Sequence, residues 1–176
     1  ASGLVEAAGR VQAAVTNTIT SNTTINSANA ATYAGNDIVC DGAAVVLTVD
    51  GTHPWASLTL QNGCTLKQTA TNTTVMGTTT LDITGTTTIN SGTSINLNGL
   101  GYPLTYTAGT NGVPTTTGGS TGRTGGSHGG TGGDHDGAGG TQGVVYDSFT
   151  APLYPGAGGG DGACCVAPGT SGSGYL

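Results

Sequence analysis

The chain has 176 residues, a formal net charge of -6 and only 7% charged side chains, against roughly 25% in an average soluble domain. Lys and Arg together number three, so the basic patch that nucleic acid or an anionic membrane surface requires is missing. No apolar run approaches the ~20 residues that cross a bilayer. Gly accounts for 34 residues and Phe and Trp for one each, which confines any side-chain core to about the first 105 residues.

The sequence opens Ala1-Ser2-Gly3, as a mature product after signal removal, an excised module or a cloned fragment would. From Ser2 to Val15, the apolar residues Leu4, Val5, Ala8, Val11 and Val15 recur at near-helical spacing, and Glu6 stands four positions before Arg10. This predicts a short amphipathic helix, the single helical candidate. It either plugs the end of its own core or leaves the subunit and docks on the next, with Leu4, Val5, Val11 and Val15 as the assembly residues. Residues 1–16 are therefore read as a cap or intersubunit segment.

Beyond it the period falls to two. Runs such as Asp37-Ile38-Val39-Cys40, Ser57-Leu58-Thr59-Leu60 and Thr80-Leu81-Asp82-Ile83 are cut by Asp41-Gly42, Asn62-Gly63 and Gly85, the grammar of short strands between tight turns. Ile38 to Leu60 is 22 positions, and Leu58 to Leu81, Leu60 to Ile83 and Leu66 to Ile89 are each 23. A recurrence of that length predicts an all-β fold, a parallel β-helix over residues 17–105 in which stacked coils complete one another's core. The inward residues would be Ile38, Leu47, Val49, Leu58, Leu60, Leu66, Val75, Leu81, Ile83, Ile89, Ile95 and Leu97, with Thr outward. A β-sandwich is the competing fold, but hairpin pairing does not produce a constant offset.

Residues 106–176 follow a different logic. Gly recurs every third residue in slipping phase, as in Gly119, Gly122, Gly125 and then Gly126, Gly129, Gly132. The slip and the shortage of Pro exclude collagen, whereas a glycine stripe lets polyproline-II-like strands approach closely. A flexible linker is the alternative. The interruption by Val144-Val145-Tyr146-Asp147-Ser148-Phe149 and Leu153-Tyr154-Pro155 favours a segment packed on or between the β-helices.

Few residues carry chemistry. Cys40 and Cys64 lie about one coil apart, which permits a staple across coils or two buried thiols. The vicinal Cys164 and Cys165 suit pairing to another segment or subunit. His128, Asp134, His135 and Asp136 form a weak metal-ligand cluster whose spacing fits no standard site. Asn22 and Asn72 each open an Asn-Thr-Thr glycosylation sequon, a pattern that a Thr-rich chain also produces by chance. Asp37, Asp41, Asp50 and Asp82 are scattered, and Lys67, Arg10 and Arg123 do not cluster with them in sequence, so the pattern is not that of an enzyme and implies no cofactor.

The runs Tyr33 to Gly42, Val46 to His53 and Leu58 to Gly63, together with Gly99-Leu100-Gly101-Tyr102, the stretch around Ser127-His128 and the return Gly156 to Gly160, resemble glycine-rich modules of very large secreted bacterial surface proteins. The resemblance implies a right-handed parallel β-helix, an extracellular location and a structural or adhesive role, and it supplies no catalytic residues. The expected function is a self-assembling building block of a filament, sheath or fibre. Its partner is then a second copy of the chain added head to tail. A glycan-binding adhesin is the alternative, and ice binding through Thr arrays is a remote one.

Overall fold

The computed structural model describes residues 13–134, 139–162 and Gly172. Its regular structure is nearly all strand. The first part of the chain contributes β1 (Thr16–Ile19), β2 (Thr23–Ile25), β3 (Asp37–Asp41), β4 (Val46–Val49) and β5 (Gly51–Trp55). It continues with β6 (Ser57–Gln61), β7 (Thr65–Lys67), β8 (Thr79–Ile83), β9 (Thr87–Ile89) and β10 (Ser94–Ile95). A four-residue helix, α1 (Ala30–Tyr33), lies between β2 and β3, where no helix was expected.

The chain visits three sheets in turn. The first sheet has the order β1-β3-β6-β9, the second β2-β4-β7-β10, and β5 pairs with β8 in the third. Every one of these pairings is parallel. Successive passes through the three sheets therefore lie one above another, and α1 packs on β5 where the first pass has no strand in the third sheet. The fold is all-β with parallel sheets.

Alternation decides which side chains meet inside. Ile38 stands beside Leu58, Cys40 beside Leu60 and Leu47 beside Leu66, and these six residues are fully buried, as is Val49. Burial of a Leu or Ile contributes roughly 1.5–3 kcal/mol. The outward neighbours are tied between passes by short polar bonds. Ser57 Oγ donates to Asp37 at 2.6 Å, Gln61 and Asn62 donate to Asp41 at 3.0 and 2.6 Å, and Thr69 donates to Asp50 through N–H and hydroxyl at 2.7 and 2.6 Å. Asn62 and Gly63 take φ of 55° and 86°, the paired left-handed conformation of a tight turn that Asn-Gly adopts readily.

Three expectations need correction. The offset is not constant, because Asn17, Ile38, Leu58 and Thr87 follow one another in register at steps of 21, 20 and 29 positions. The long step arises from residues 68–78, inserted between β7 and β8, where β4 and β5 are joined through Asp50 alone. Thus Leu81 and Ile83 lie beside His53 and Trp55, not beside Leu58 and Leu60. Second, Ile89 is 50% exposed and Val75 61% exposed, while Leu81, Ile83, Ile95 and Leu97 are only half-buried. Ile89 sits on a strand with one neighbour, and Val75 lies in the inserted segment. Third, Ala13 to Val15 are not helical. Val15 continues the line of β1, its C=O accepting from Asp37 N–H at 3.0 Å, and it is exposed. Leu4, Val5 and Val11 lie outside the described residues.

Among the described residues, the glycine-rich region contains β11 (Thr107–Ala108) and β12 (Pro114–Thr115), an antiparallel pair, a single 3-10 turn at Thr110–Gly112, and segments without regular structure cross-linked through the backbone. The return segment runs through the middle. Tyr102 N–H donates to Gly156 O, Thr105 to Gly159 O, Gly158 to Tyr106 O, Gly160 to Thr124 O and Gly162 to Gly122 O, at 2.7–3.0 Å. A Cβ on Gly126 would overlap Ala157 O, and one on Gly132 would overlap Gly125 O. Gly126 and Gly132 are thus points of close backbone approach. Tyr102, Thr105 and Tyr106 bond to this return segment, and Gly101 N–H donates to Gly172 O at 2.6 Å.

Candidate functional site

The two ends of the parallel stack differ. In the first pass, the inward Ile19 and Ile25 are 6% and 0% exposed. In the last, β9 pairs only with β6, β10 only with β7, and β8 only with β5. Their outer edges meet no strand among the described residues. Such an edge carries a row of backbone N–H and C=O groups able to pair with another strand. Beside that row stand Ile89, half out in solvent, and Leu81, Ile83 and Ile95, packed on the core from one side. Among the described residues this edge therefore combines an apolar step with backbone groups that no strand pairs.

The cysteines resolve in part. Cys40 and Cys64 form a disulfide with a Cα–Cα distance of 5.9 Å, both fully buried. The bond ties β3 to the turn leading into β7, and closing a loop of this size contributes about 3 kcal/mol in the chain-entropy picture. Cys164 and Cys165 lie outside the described residues.

The metal-ligand candidates separate. His128 Nε2 lies 2.9 Å from Tyr154 O and 3.3 Å from Asp147 Oδ2, which assigns the proton to that nitrogen. Asp134 makes an isolated bridge to Thr124 and is exposed. His135 and Asp136 are outside the described residues, and among the described ones no group of three His, Cys, Asp or Glu is arranged to hold a metal ion.

His128 instead belongs to a junction that sequence reasoning missed. The ring of Tyr146 stands edge-on to His128 at 5.0 Å and to Tyr102 at 6.2 Å. Tyr102 is fully buried, and its hydroxyl donates to Gly112 O at 2.7 Å, while that of Tyr146 donates to Pro155 O at 2.5 Å. Burial, reinforced by the neighbouring ionisable groups, raises both phenols above the usual range. Asp147, at φ 65°, accepts from Ser148, Leu153 and Tyr154 N–H at 2.8, 2.6 and 2.7 Å. Burial alone would raise its carboxyl. The three amides and His128 outweigh that and hold it below the ordinary carboxylate range. The loop 147–154 is thereby closed on itself, with Phe149 83% and Leu153 62% exposed. The signal in the sequence was Tyr-Asp ahead of a Ser-Phe-Thr turn and a Pro, but nothing in it pointed to His128 as the partner.

Other inward residues also escaped notice. Trp55, His53 and Gln68 are buried to within 1%. His53 Nε2 bonds Asp50 O at 2.9 Å and Gln68 Nε2 donates to Gly77 O at 3.1 Å, while His53 Nδ1, Trp55 Nε1 and Gln68 Oε1 have no protein partner. Their alternation with Thr52, Pro54 and Lys67 was visible, but their polar character disguised it.

The two sequons differ as well. Asn22 Oδ1 accepts from Val46 N–H at 2.9 Å, within the stack. Asn72 lies in the inserted segment beside a cavity of about 300 Å³ lined by Asn26, Ser27, Asp50, Thr69, Val75 and Met76. Among the described residues no helix is long and apolar enough to cross a membrane. Compared with known proteins, the chain matches no family model, no curated protein and no solved structure.

Proposed function

We propose that the three parallel sheets are the faces of a right-handed parallel β-helix and that the protein is an extracellular structural unit which assembles with copies of itself, head to tail. The observation that carries this reading is the last pass, with Ile89 half exposed beside strand edges that, among the described residues, pair on one side only. A second copy seated there continues the sheets and covers the apolar step. The disulfide between Cys40 and Cys64 fits an oxidising compartment. Asp37, Asp41 and Asp50 are engaged in bonds between passes, a use of carboxylates that favours structure over catalysis.

Adhesion is the second reading, favoured by Phe149 on its clamped loop. A glycan-binding version has less support, since Trp55 and Tyr102 are inside and cannot stack on a sugar. Ice binding has less still. The outward column Thr18, Val39, Thr59, Thr88 is broken by Val39, and the column Thr24, Thr48, Lys67 ends in a charge.

Electron microscopy of the purified protein across a concentration series tests the proposal. Uniform filaments are expected for the natural sequence, and dispersed particles with an unchanged β-spectrum for Ile89→Asp, because a half-exposed position tolerates a charge until a partner must cover it. Monomers at every concentration would leave adhesion as the better reading.

A further inference from the structure

The segment 68–78 is the one long insertion between β3 and β10; Gln68 and Thr69 at its start still bind into the stack, and the exposed stretch lies beyond them. Within it, Asn72 Oδ1 accepts three hydrogen bonds, from Thr74 N–H at 2.8 Å, from Val75 N–H at 2.8 Å and from the Thr74 hydroxyl at 2.9 Å. Asn72 N–H in turn donates to Val75 O at 3.0 Å. The carboxamide's bonds all fall on its oxygen, and Nδ2 has none among the described residues. Asn72 is exposed, Thr74 is exposed, and the hydroxyl of the sequon's third residue already touches the carboxamide.

The surroundings supply a second, independent observation. Asn72 lines the cavity of about 300 Å³, whose wall includes Val75 and Met76 as well as Asn26, Ser27 and Thr69. Val75 is 61% exposed, an apolar side chain left beside a polar-rimmed hollow. A pyranose has that same mixed character, with C–H faces for Val75 and hydroxyls for Asn26, Ser27 and Thr69. Asn22 offers no such setting. Its Oδ1 is held by Val46 N–H between neighbouring passes, and its third-position residue, Thr24, lies on β2 in register with Thr48.

We propose that Asn72 is an N-glycosylation site and that the first sugar of the glycan packs into the adjoining cavity against Val75 and Met76. The donor is an oligosaccharide carried on a polyprenyl diphosphate. Asn72 Nδ2 attacks the anomeric carbon, the bond from that carbon to the diphosphate oxygen breaks, and the polyprenyl diphosphate leaves with the electron pair. The amide surrenders one proton to a base of the transferase. No redox partner is involved. The loop's insertion in the stack then has a use, since it presents an acceptor away from the surfaces that hold the passes together. This inference is independent of self-assembly.

The test expresses the full chain in a secretory host that carries an oligosaccharyltransferase, followed by peptide mapping after enzymatic release in heavy-oxygen water. Conversion of Asn72 to labelled Asp, with Asn22 unlabelled, is expected. Thr74→Ala should abolish the label and Thr74→Ser should retain it. Thermal melting of the glycosylated and enzymatically trimmed forms, the latter keeping a single sugar, reads the packing. The trimmed form should melt with the glycosylated one and above the natural sequence made in a host without the transferase, which keeps Asn72 and its loop bonds. An unlabelled Asn72, or label at Asn22 in its place, would overturn the site. Equal melting of the single-sugar form and the unglycosylated natural sequence would overturn the packing.

Discussion

The parallel stack and the glycine-rich region solve the same problem with opposite means. Between β3 and β7 the interior is made of large side chains, with Ile38, Leu47, Leu58, Leu60 and Leu66 at zero exposure. Over residues 118–134 and 139–162, chain segments meet where side chains are missing, and backbone amides supply the bonds. One region is held by what its residues add, the other by what they lack. The lesson is that burial, and not hydrophobicity, is the common condition, because a buried backbone group must find a partner wherever the chain is packed.

The two means predict opposite responses to a methyl group. Truncating Leu60 to Ala should destabilise the protein by about 2–5 kcal/mol, through lost transfer energy and the cavity left behind. Ile89→Ala, at the open edge of the same sheet, should change stability by about 1 kcal/mol or less, as for a partly exposed position. Urea unfolding of the two variants reads the difference. Equal losses would show that the last pass is as enclosed as the middle ones and would remove the basis for an open end.

In the glycine-rich region, adding the methyl should do the damage. Gly132→Ala drives a Cβ into Gly125 O, and Gly126→Ala drives one into Ala157 O, where backbone cannot swing aside. Each should destabilise by about 1–3 kcal/mol, the usual range for overpacking. Gly130 provides the control, with no atom within 4 Å of an added Cβ, and Gly130→Ala should stay within about 0.5 kcal/mol. If all three variants melt together, the extended segments are not in contact and the comparison fails on its second half.

How much of this was legible in the sequence follows from the same contrast. Inward positions such as Ile38, Leu47 and Leu60 were readable because alternation and turn residues are local properties. The closeness of Gly126 and Gly132 was legible only in part, since a stripe without side chains suits a flexible linker as well as close contact. The register was not, because the inserted residues 68–78 shift β8 to His53 and Trp55, and an insertion leaves the alternation on either side intact. Ile89 was misplaced for a related reason. Its sequence pattern matches that of Leu60, and only the absence of a neighbouring strand among the described residues separates them. The clamp of Asp147 and His128 joins positions 19 apart through a main-chain reversal, and no periodicity encodes that.

That clamp gives the smallest expected effect and the one that depends on pH. Asp147 titrates below its ordinary range in the folded chain because Leu153, Ser148 and Tyr154 N–H and His128 favour the carboxylate more than burial disfavours it. A depressed folded value means that the stabilisation is complete above the unfolded value near 4 and is lost as pH falls through the folded one. Asp147→Asn lacks the charge and one acceptor, and should cost about 1–2 kcal/mol at neutral pH. The gap between the natural protein and the variant, followed by urea midpoint from pH 6 downward, should hold constant to about pH 4 and narrow below it. Asp41 is also depressed, by its bonds to Asn62 and Gln61, but it is present in both proteins and drops out of the difference. A gap that stays constant into strong acid would mean that the loop 147–154 is held by its backbone alone. The junction would then belong entirely to the glycine-rich way of packing.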